Sequence, residues 1–165
     1  MTEPKATAAR FPDEYGQTPE SRAELLTWEE VSARIEAARN YFLATGDADG
    51  RPHVRPVDGV FVEGALCFGG SPETRWVRNL EERPAATASL PNDDHAVIIE
   101  GRAELVTDPE DPVAVASGPA TVAKYPQYFT DGGEAPFQPF WCLRAHRVYA
   151  WSLSGFPRKA TRFDF

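Results

Sequence analysis

The feature of this sequence that most limits its fold is a series of six short apolar segments separated by turn residues. The first two, "YFLAT" and "HVRPVDGVFV", are joined by "GDADGRP", whose Asp-Gly pair is typical of a tight hairpin turn. The remaining four, in chain order, are "ALCFGG", "AATASL", "HAVIIEGRAELV" and "FWCLRAHRVYAWSL". Six strands with few helices between them predict a mostly β fold, namely a small antiparallel barrel with flanking helices.

Two segments between these strands have the start and stop signals of helices. In "LTWEEVSARIEAARN", Thr27 can cap a helix while Glu30 returns a bond to the Thr27 amide. In "SPETRWVRNLEERP", Ser71 is a suitable cap, Pro72 suits the first helical position, and Pro84 closes the segment. The first segment is also amphipathic, because one side carries Trp28, Val31, Ile35 and Ala38.

The long segment before the last strand, "TDPEDPVAVASGPATVAKYPQYF", has a helical start at Asp108 and Pro109. Gly118 and Pro119 interrupt the pattern, so the sequence predicts two short helical pieces. Its end, "KYPQYF", is interpreted as a lid or packing segment, in which Tyr125 and Tyr128 can shape a substrate pocket.

Length and composition limit the number of domains and the class of ligand. A chain of 165 residues fits one domain, predicted over residues 27–165, and polar residues 1–26 are expected to form an extended arm. The net charge of -8 argues against a general nucleic-acid binder but leaves small anionic ligands open. No run of about 20 apolar residues is present, so no membrane-spanning helix is expected.

The cysteines and histidines give no sign of a metal site. Cys67 and Cys142 are too few and too far apart for a zinc pattern, and His53, His95 and His146 share no metal-binding spacing. With no secretory segment visible, reduced thiols in a cytoplasmic protein are expected.

The segment "FGGSPETRWVRNL" gathers positive charge within this acidic chain. Gly69 and Gly70 allow close backbone approach, and Arg75 and Arg78 lie three apart on one face of the predicted helix. Together with the helix amides they can hold a phosphate. The alternative is a capped surface helix whose arginines are solvated or pair with Glu82.

The strand "RPHVRPV" carries Pro52 and Pro56 four residues apart, so the two missing amides lie on the same side. Such a strand is an edge, a bulge, or a place where a ligand takes the free hydrogen bonds. A planar ring with carbonyls and ring nitrogens, such as a flavin, suits that place.

Taken together, "YFLATGDADGRPHVRPV", "SPETRWVRNLEERP", "HAVIIEGRAELVTD" and "ATRFDF" resemble the pyridoxamine 5'-phosphate oxidase-like family of flavin-binding split barrels over about residues 27–165. The resemblance implies a six-stranded antiparallel split β-barrel that forms a homodimer and binds FMN, or in some branches a deazaflavin coenzyme, at the subunit interface.

The resemblance also implies which residues hold the cofactor. The ring would lie along His53, Val54, Arg55, Pro56 and Val57. The phosphate or tail would lie by Ser71, Thr74, Arg75, Arg78 and Asn79. The partner subunit would close the site with residues drawn from Trp151, Arg158, Lys159 and Arg162.

Two positions depart from the family pattern. Trp76 stands where relatives commonly have a second basic residue, and it either stacks on the cofactor ring or packs in the core. Asp58 stands where an aromatic residue is frequent, and a carboxylate facing the site would repel a phosphate.

The functional hypothesis is a flavin-dependent oxidoreductase acting on a small conjugated or planar substrate, with Trp151 bounding the substrate side and no proton donor assigned. The alternative is a non-catalytic split-barrel protein that binds flavin or haem, and a third possibility is a cofactor-free dimer.

Overall fold

The computed structural model describes residues 3–91, 94–129 and 136–165. Their strands form one antiparallel sheet of nine strands, which confirms the mostly β class. The strands are β1 Lys5–Ala8, β2 Asn40–Gly46, β3 Pro52–Asp58, β4 Val60–Val62, β5 Ala65–Phe68, β6 Ala85–Ser89, β7 His95–Val106, β8 Phe140–Ser152 and β9 Thr161–Asp164. The helices are α1 Pro19–Ala23, α2 Trp28–Ala37, α3 Arg75–Glu82 and α4 Pro112–Lys124.

Strand β8 is where the sheet divides. Along one edge it pairs with β7 over nearly its whole length. Along the other edge its first half pairs with β5 and its second half with β9. The main path of the sheet runs β1-β9-β8-β7-β6-β2-β3, and the short hairpin of β4 and β5 branches from it.

The expected count of six strands is therefore too low. Two of the extra strands come from the chain ends, where β1 pairs with β9. The third arises because the second predicted strand breaks at Gly59 into β3 and β4. The Gly59 amide donates to the Tyr125 hydroxyl over 2.9 Å, and its carbonyl accepts from Lys124 Nζ over 2.9 Å. Side chains at the end of α4 thus replace ladder hydrogen bonds.

Residues 3–26, which lie in the stretch expected as an extended arm, contain β1, a 3-10 turn at Asp13–Tyr15 and the short helix α1. Thr18 caps α1 in a reciprocal pair of bonds with Ser21. The stretch is joined to the C-terminal strand again where the Leu26 amide donates to Thr161 Oγ1 over 2.8 Å.

Helix α2 has the predicted cap, since Thr27 and Glu30 form a capping box, and Val31 and Ile35 are fully buried. The predicted start of α3 is wrong. Ser71 and Pro72 belong to a preceding turn, closed by a bond from the Thr74 amide to the Ser71 carbonyl, and the helix begins at Arg75.

The prediction of two helical pieces before β8 is also wrong, because α4 runs without a break through Gly118 and Pro119. A residue before proline normally clashes through its Cβ, and Gly118 has none. Pro119 lies on the exposed face, where water can satisfy the Val115 carbonyl that loses its helical bond.

Two apolar clusters position the functional regions. The larger fills the barrel and includes Leu43, Ile99 and Phe163. The smaller lies beneath α4, which packs on β4 and β5, and it contains Cys67 and Cys142 as free, buried thiols on paired strands. Helix α3 packs on β2 and β3.

Candidate functional site

Strand β3 ends the path of the main sheet, so the proline-marked strand is an edge. In the described part of the chain it pairs with β2 alone, which leaves its outer edge open. Val57 is buried and His53 half-buried, whereas Val54, Arg55 and Pro56 are exposed. The segment predicted to lie along a ring therefore offers an accessible backbone edge and exposed side chains.

Arg75 begins α3 and reaches toward the β2–β3 turn, where its Nη2 lies 3.0 Å from Asp47 Oδ2. The imidazole of His53 lies close enough to feel this charge. Its pKa is lowered, first by desolvation and then by the positive charges of Arg75 and Arg55. The structure thus brings the predicted ring segment and a predicted phosphate ligand together at one electropositive place.

Other residues predicted to bind the phosphate are placed less favourably. Arg78 is exposed and donates to the Glu73 carbonyl over 2.8 Å. Ser71 and Thr74 form the turn before the helix, with Thr74 Oγ1 donating to the Ser71 carbonyl over 2.7 Å. Asn79 is buried and donates through Nδ2 to Thr45 Oγ1 over 2.9 Å, so its amide points inward.

Trp76 is a core residue. It is 6% exposed, and its ring meets that of Phe68 edge-on with centroids 5.5 Å apart. A Cβ built on Gly70 would lie 2.0 Å from Trp76 Cζ2, whereas one built on Gly69 would meet no atom within 4 Å. Gly70 is therefore required by the packing of Trp76, and only Gly69 leaves room for close approach from outside.

A depression of about 660 Å³ lies between β3 and the loop that contains Gly69 and Gly70. Pro56, Val57 and Trp76 are among its lining residues. Beneath α4 is a second cavity of about 460 Å³. Asp58 and Gly69 line both, so the two spaces meet at the end of β3.

Trp151 is not near β3 in the sheet. It lies near the end of β8, and its ring contacts those of Phe11 and Phe156 with centroid separations of 5.9 Å and 6.1 Å. These aromatic residues join the N-terminal stretch to the segment before β9.

Arg158 and Arg162 also lie far from β3 along the sheet. Arg158 pairs with Glu24, and Arg162 pairs with Asp164 within β9 at 2.8 Å. In the sheet order β9 and β3 are separated by four strands, and the described ion pairs of Arg158 and Arg162 are with Glu24 and Asp164.

A cluster that the sequence did not suggest lies where α4 meets the break at Gly59. Lys124 Nζ donates to the Tyr41 hydroxyl over 3.1 Å, and half-burial, with a smaller effect of Arg39, lowers its pKa to about 8. Burial raises the pKa of Tyr41. A lysine in the last turn of a helix is so common that no sequence signal identifies this one.

A family profile described as pyridoxamine 5'-phosphate oxidase matches residues 27–152, which is most of the chain. The chain belongs to this family. The resemblance inferred from the sequence motifs is therefore confirmed, although the profile ends before the terminal "ATRFDF".

Solved structures with the same fold support the split barrel. A conserved hypothetical protein from Mycobacterium tuberculosis is 20% identical with a TM-score of 0.63, covering 78% of this chain and 86% of its own. A pyridoxamine 5'-phosphate oxidase-related, FMN-binding protein from Nostoc punctiforme is 21% identical, with a TM-score of 0.56 and coverages of 81% and 88%. HutZ, the haem storage protein from Vibrio cholerae, is 17% identical, with a TM-score of 0.57 and coverages of 72% and 89%.

None of the curated proteins compared with the sequence matches it. Within the described residues, no helix has both the length and the apolar character needed to cross a bilayer. The same residues contain no group of three or more histidine, cysteine or acidic side chains placed to hold a metal ion.

Proposed function

We propose that this family member is a flavin-dependent oxidoreductase that acts on a small conjugated or planar substrate. The observation that carries the proposal is that the charge of Arg75 acts on His53 at the open β3 edge. The same strand lines the depression of about 660 Å³ with Pro56 and Val57. The FMN-binding neighbour from Nostoc punctiforme has the same fold.

The donor chemistry at this place suits a ring with an anionic tail. Arg75 has five N–H donors, and within the described residues its side chain pairs with Asp47 alone, which leaves several donors for a phosphate. Arg78 would add a second guanidinium, and the backbone from Arg55 to Val57 would face the ring. FMN, or a deazaflavin in its place, supplies hydride transfer when bound. Trp76 and Asn79 support this surface from inside, as their burial indicates.

The proposal includes a homodimer in the cytoplasm. Phe42 and Val54 are 43% and 53% exposed, and the register of β2 and β3 places them on one face with Ala44 and Pro56. An exposed apolar patch of this kind is typical of an interface. The partner subunit would bring its own Trp151, Arg158, Lys159 and Arg162 to the site.

The interface is tested by sedimentation of Val54→Asp, with Val115→Asp as the control because Val115 is 61% exposed on α4. A charge at an apolar interface should dissociate the dimer, whereas the control should stay dimeric. A wild-type protein that sediments as an 18.2 kDa monomer would contradict the dimer.

Flavin binding is tested by titrating the purified protein with FMN and with a deazaflavin coenzyme. Loss of a hydrogen-bonded charge contact costs about 1.5 to 3 kcal/mol, so Arg75→Ala should weaken binding by about ten- to a hundredfold. Arg22→Ala removes an arginine from α1 as the matched control. If neither FMN nor the deazaflavin binds at micromolar concentration, the proposal is refuted.

The second candidate is a non-catalytic protein that binds flavin or haem on the same fold. It is favoured by Asp58, an acidic residue that lines both cavities where it would oppose a phosphate. The haem storage protein from Vibrio cholerae shares the fold. Stoichiometric cofactor binding without reduction by nicotinamide donors would favour this function, and turnover with any acceptor would exclude it.

A further inference from the structure

The cavity of about 460 Å³ beneath α4 has an aromatic lining that the predicted cofactor residues do not explain. It is bounded by α4, the break between β3 and β4, and the segment before β8. No residue assigned to the flavin lines it. Its aromatic lining residues are Phe68, Tyr125, Tyr128, Phe129, Phe137 and Phe140.

Asp58 is the one charged residue in the described lining of this cavity. Its Oδ2 accepts a hydrogen bond from the Tyr128 hydroxyl over 3.2 Å, which holds the carboxylate beside an aromatic wall. A carboxylate and aromatic faces both attract positive charge, and both oppose an anion. The net charge of -8 acts in the same direction at longer range.

Two cations of the protein already lie against this wall from outside the described lining. The Arg39 guanidinium stands 5.6 Å from the centre of the Tyr125 ring, and Lys124 Nζ is 5.9 Å from it. Their charges oppose a ligand cation, with Glu36 and Asp58 offsetting them in part. Asp58 belongs to the described lining and these two cations do not, so a ligand inside the cavity can contact the carboxylate directly.

We propose that this cavity binds a planar organic cation, with its apolar body against the aromatic residues and its positive group beside Asp58. Because the cavity meets the depression at Asp58 and Gly69, the cation would be the substrate of the oxidoreductase. That role rests on the proposed function, whereas binding of the cation does not need a flavin.

The test uses three naphthalene probes of similar size, measured by calorimetric titration of the purified protein with no flavin added. They are 2-naphthylmethylammonium, 2-naphthylmethanol and 2-naphthoate. An exposed charge pair gives about a two- to fivefold gain, so the ammonium should bind that much more tightly than the alcohol, and the carboxylate should bind weakest. Binding of 2-naphthoate as tight as that of the ammonium would overturn the proposal.

Asp58→Asn should remove the difference between ammonium and alcohol and leave the affinity for the alcohol within about twofold. If the preference for the ammonium persists in this variant, the assignment of Asp58 is wrong. The variant changes an exposed side chain, so the fold should remain intact.

Thr121→Phe places a ring in the cavity from α4 and should weaken the ammonium probe at least tenfold. Val115→Phe puts the same ring on the solvent face of α4 and should leave probe binding unchanged. If the two variants bind the ammonium probe with equal affinity, the probe does not bind in the cavity beneath α4. Probe binding without flavin binding refutes the oxidoreductase alone, and flavin binding without probe binding refutes this site alone.

Discussion

Replacing Gly70 with alanine tests whether Trp76 is a core residue. The three atoms nearest to a Cβ at position 70 all belong to the Trp76 indole, at 2.0, 2.4 and 3.1 Å. The first two distances are far below contact, so the buried ring must move. Forcing extra volume into a packed site costs about 1 to 3 kcal/mol, and Gly70→Ala should lower the free energy of unfolding by that amount.

The contact between position 70 and Trp76 is tested in a double-mutant cycle, with the free energy of unfolding measured by urea denaturation. Trp76→Ala alone should cost about 3 to 5 kcal/mol, because it removes a large buried side chain. In that background Gly70→Ala should cost almost nothing, so the two effects should be non-additive by about 1 to 3 kcal/mol. Gly69→Ala is the matched control, since its Cβ would meet no atom within 4 Å. Additive losses would refute the packing role of Trp76.

Three further predictions concern the region beneath α4. Gly59→Ala should destabilise the protein by about 1 to 3 kcal/mol in urea denaturation, because its Cβ would lie 2.6 Å from the Cys67 carbonyl, whereas Gly46→Ala should be nearly neutral. Lys124 has a folded pKa of about 8, below the unfolded value of 10.5, so the wild type should gain stability relative to Lys124→Met as pH rises from 8 to 10.5; no difference in slope would contradict this. Burial raises the thiol pKa of both Cys67 and Cys142 to about 12, so Ellman's reagent should react with them in urea and not in the native protein at pH 8.

The sequence predicted the elements whose signals are local. The capping box at Thr27 and Glu30 and the Asp-Gly turn depend on residues a few positions apart, and both are present. Pro52 and Pro56 identified β3 as an unusual strand. Proline has no backbone N–H, so neither residue can donate a hydrogen bond to a neighbouring strand in any fold.

The features that the sequence did not predict depend on contacts between distant segments. The break at Gly59 is made by Tyr125 and Lys124, which lie more than sixty residues further along the chain. The burial of Trp76 depends on Phe68 and on the missing side chain of Gly70. The local sequence pattern places Trp76 on a helix. It does not show which distant residues pack against the Trp76 side chain.

The position of Arg75 follows from the way α3 is tied to the β2–β3 hairpin. Arg75 pairs with Asp47 at the start of the helix, and Arg83 donates to the Ala48 carbonyl just after its end. Asp47 is itself fixed by the turn, since its Oδ1 accepts from the backbone amide of Arg51 over 2.9 Å. The same contacts that hold helix to hairpin therefore set Arg75 beside the β3 edge.

This arrangement limits the positive charge that Arg75 can offer to an anion. The backbone bond from Arg51, ahead of the contact with Arg75, lowers the pKa of Asp47, so Asp47 remains charged and cannot release Arg75 by protonation at neutral pH. An anion must share Arg75 with Asp47, and it gains affinity only through the guanidinium donors that Asp47 leaves unused. Trp76 supplies packing rather than charge. Under the proposed function, phosphate binding would therefore depend on Arg75 and Arg78, which makes Arg75→Ala the most informative single substitution.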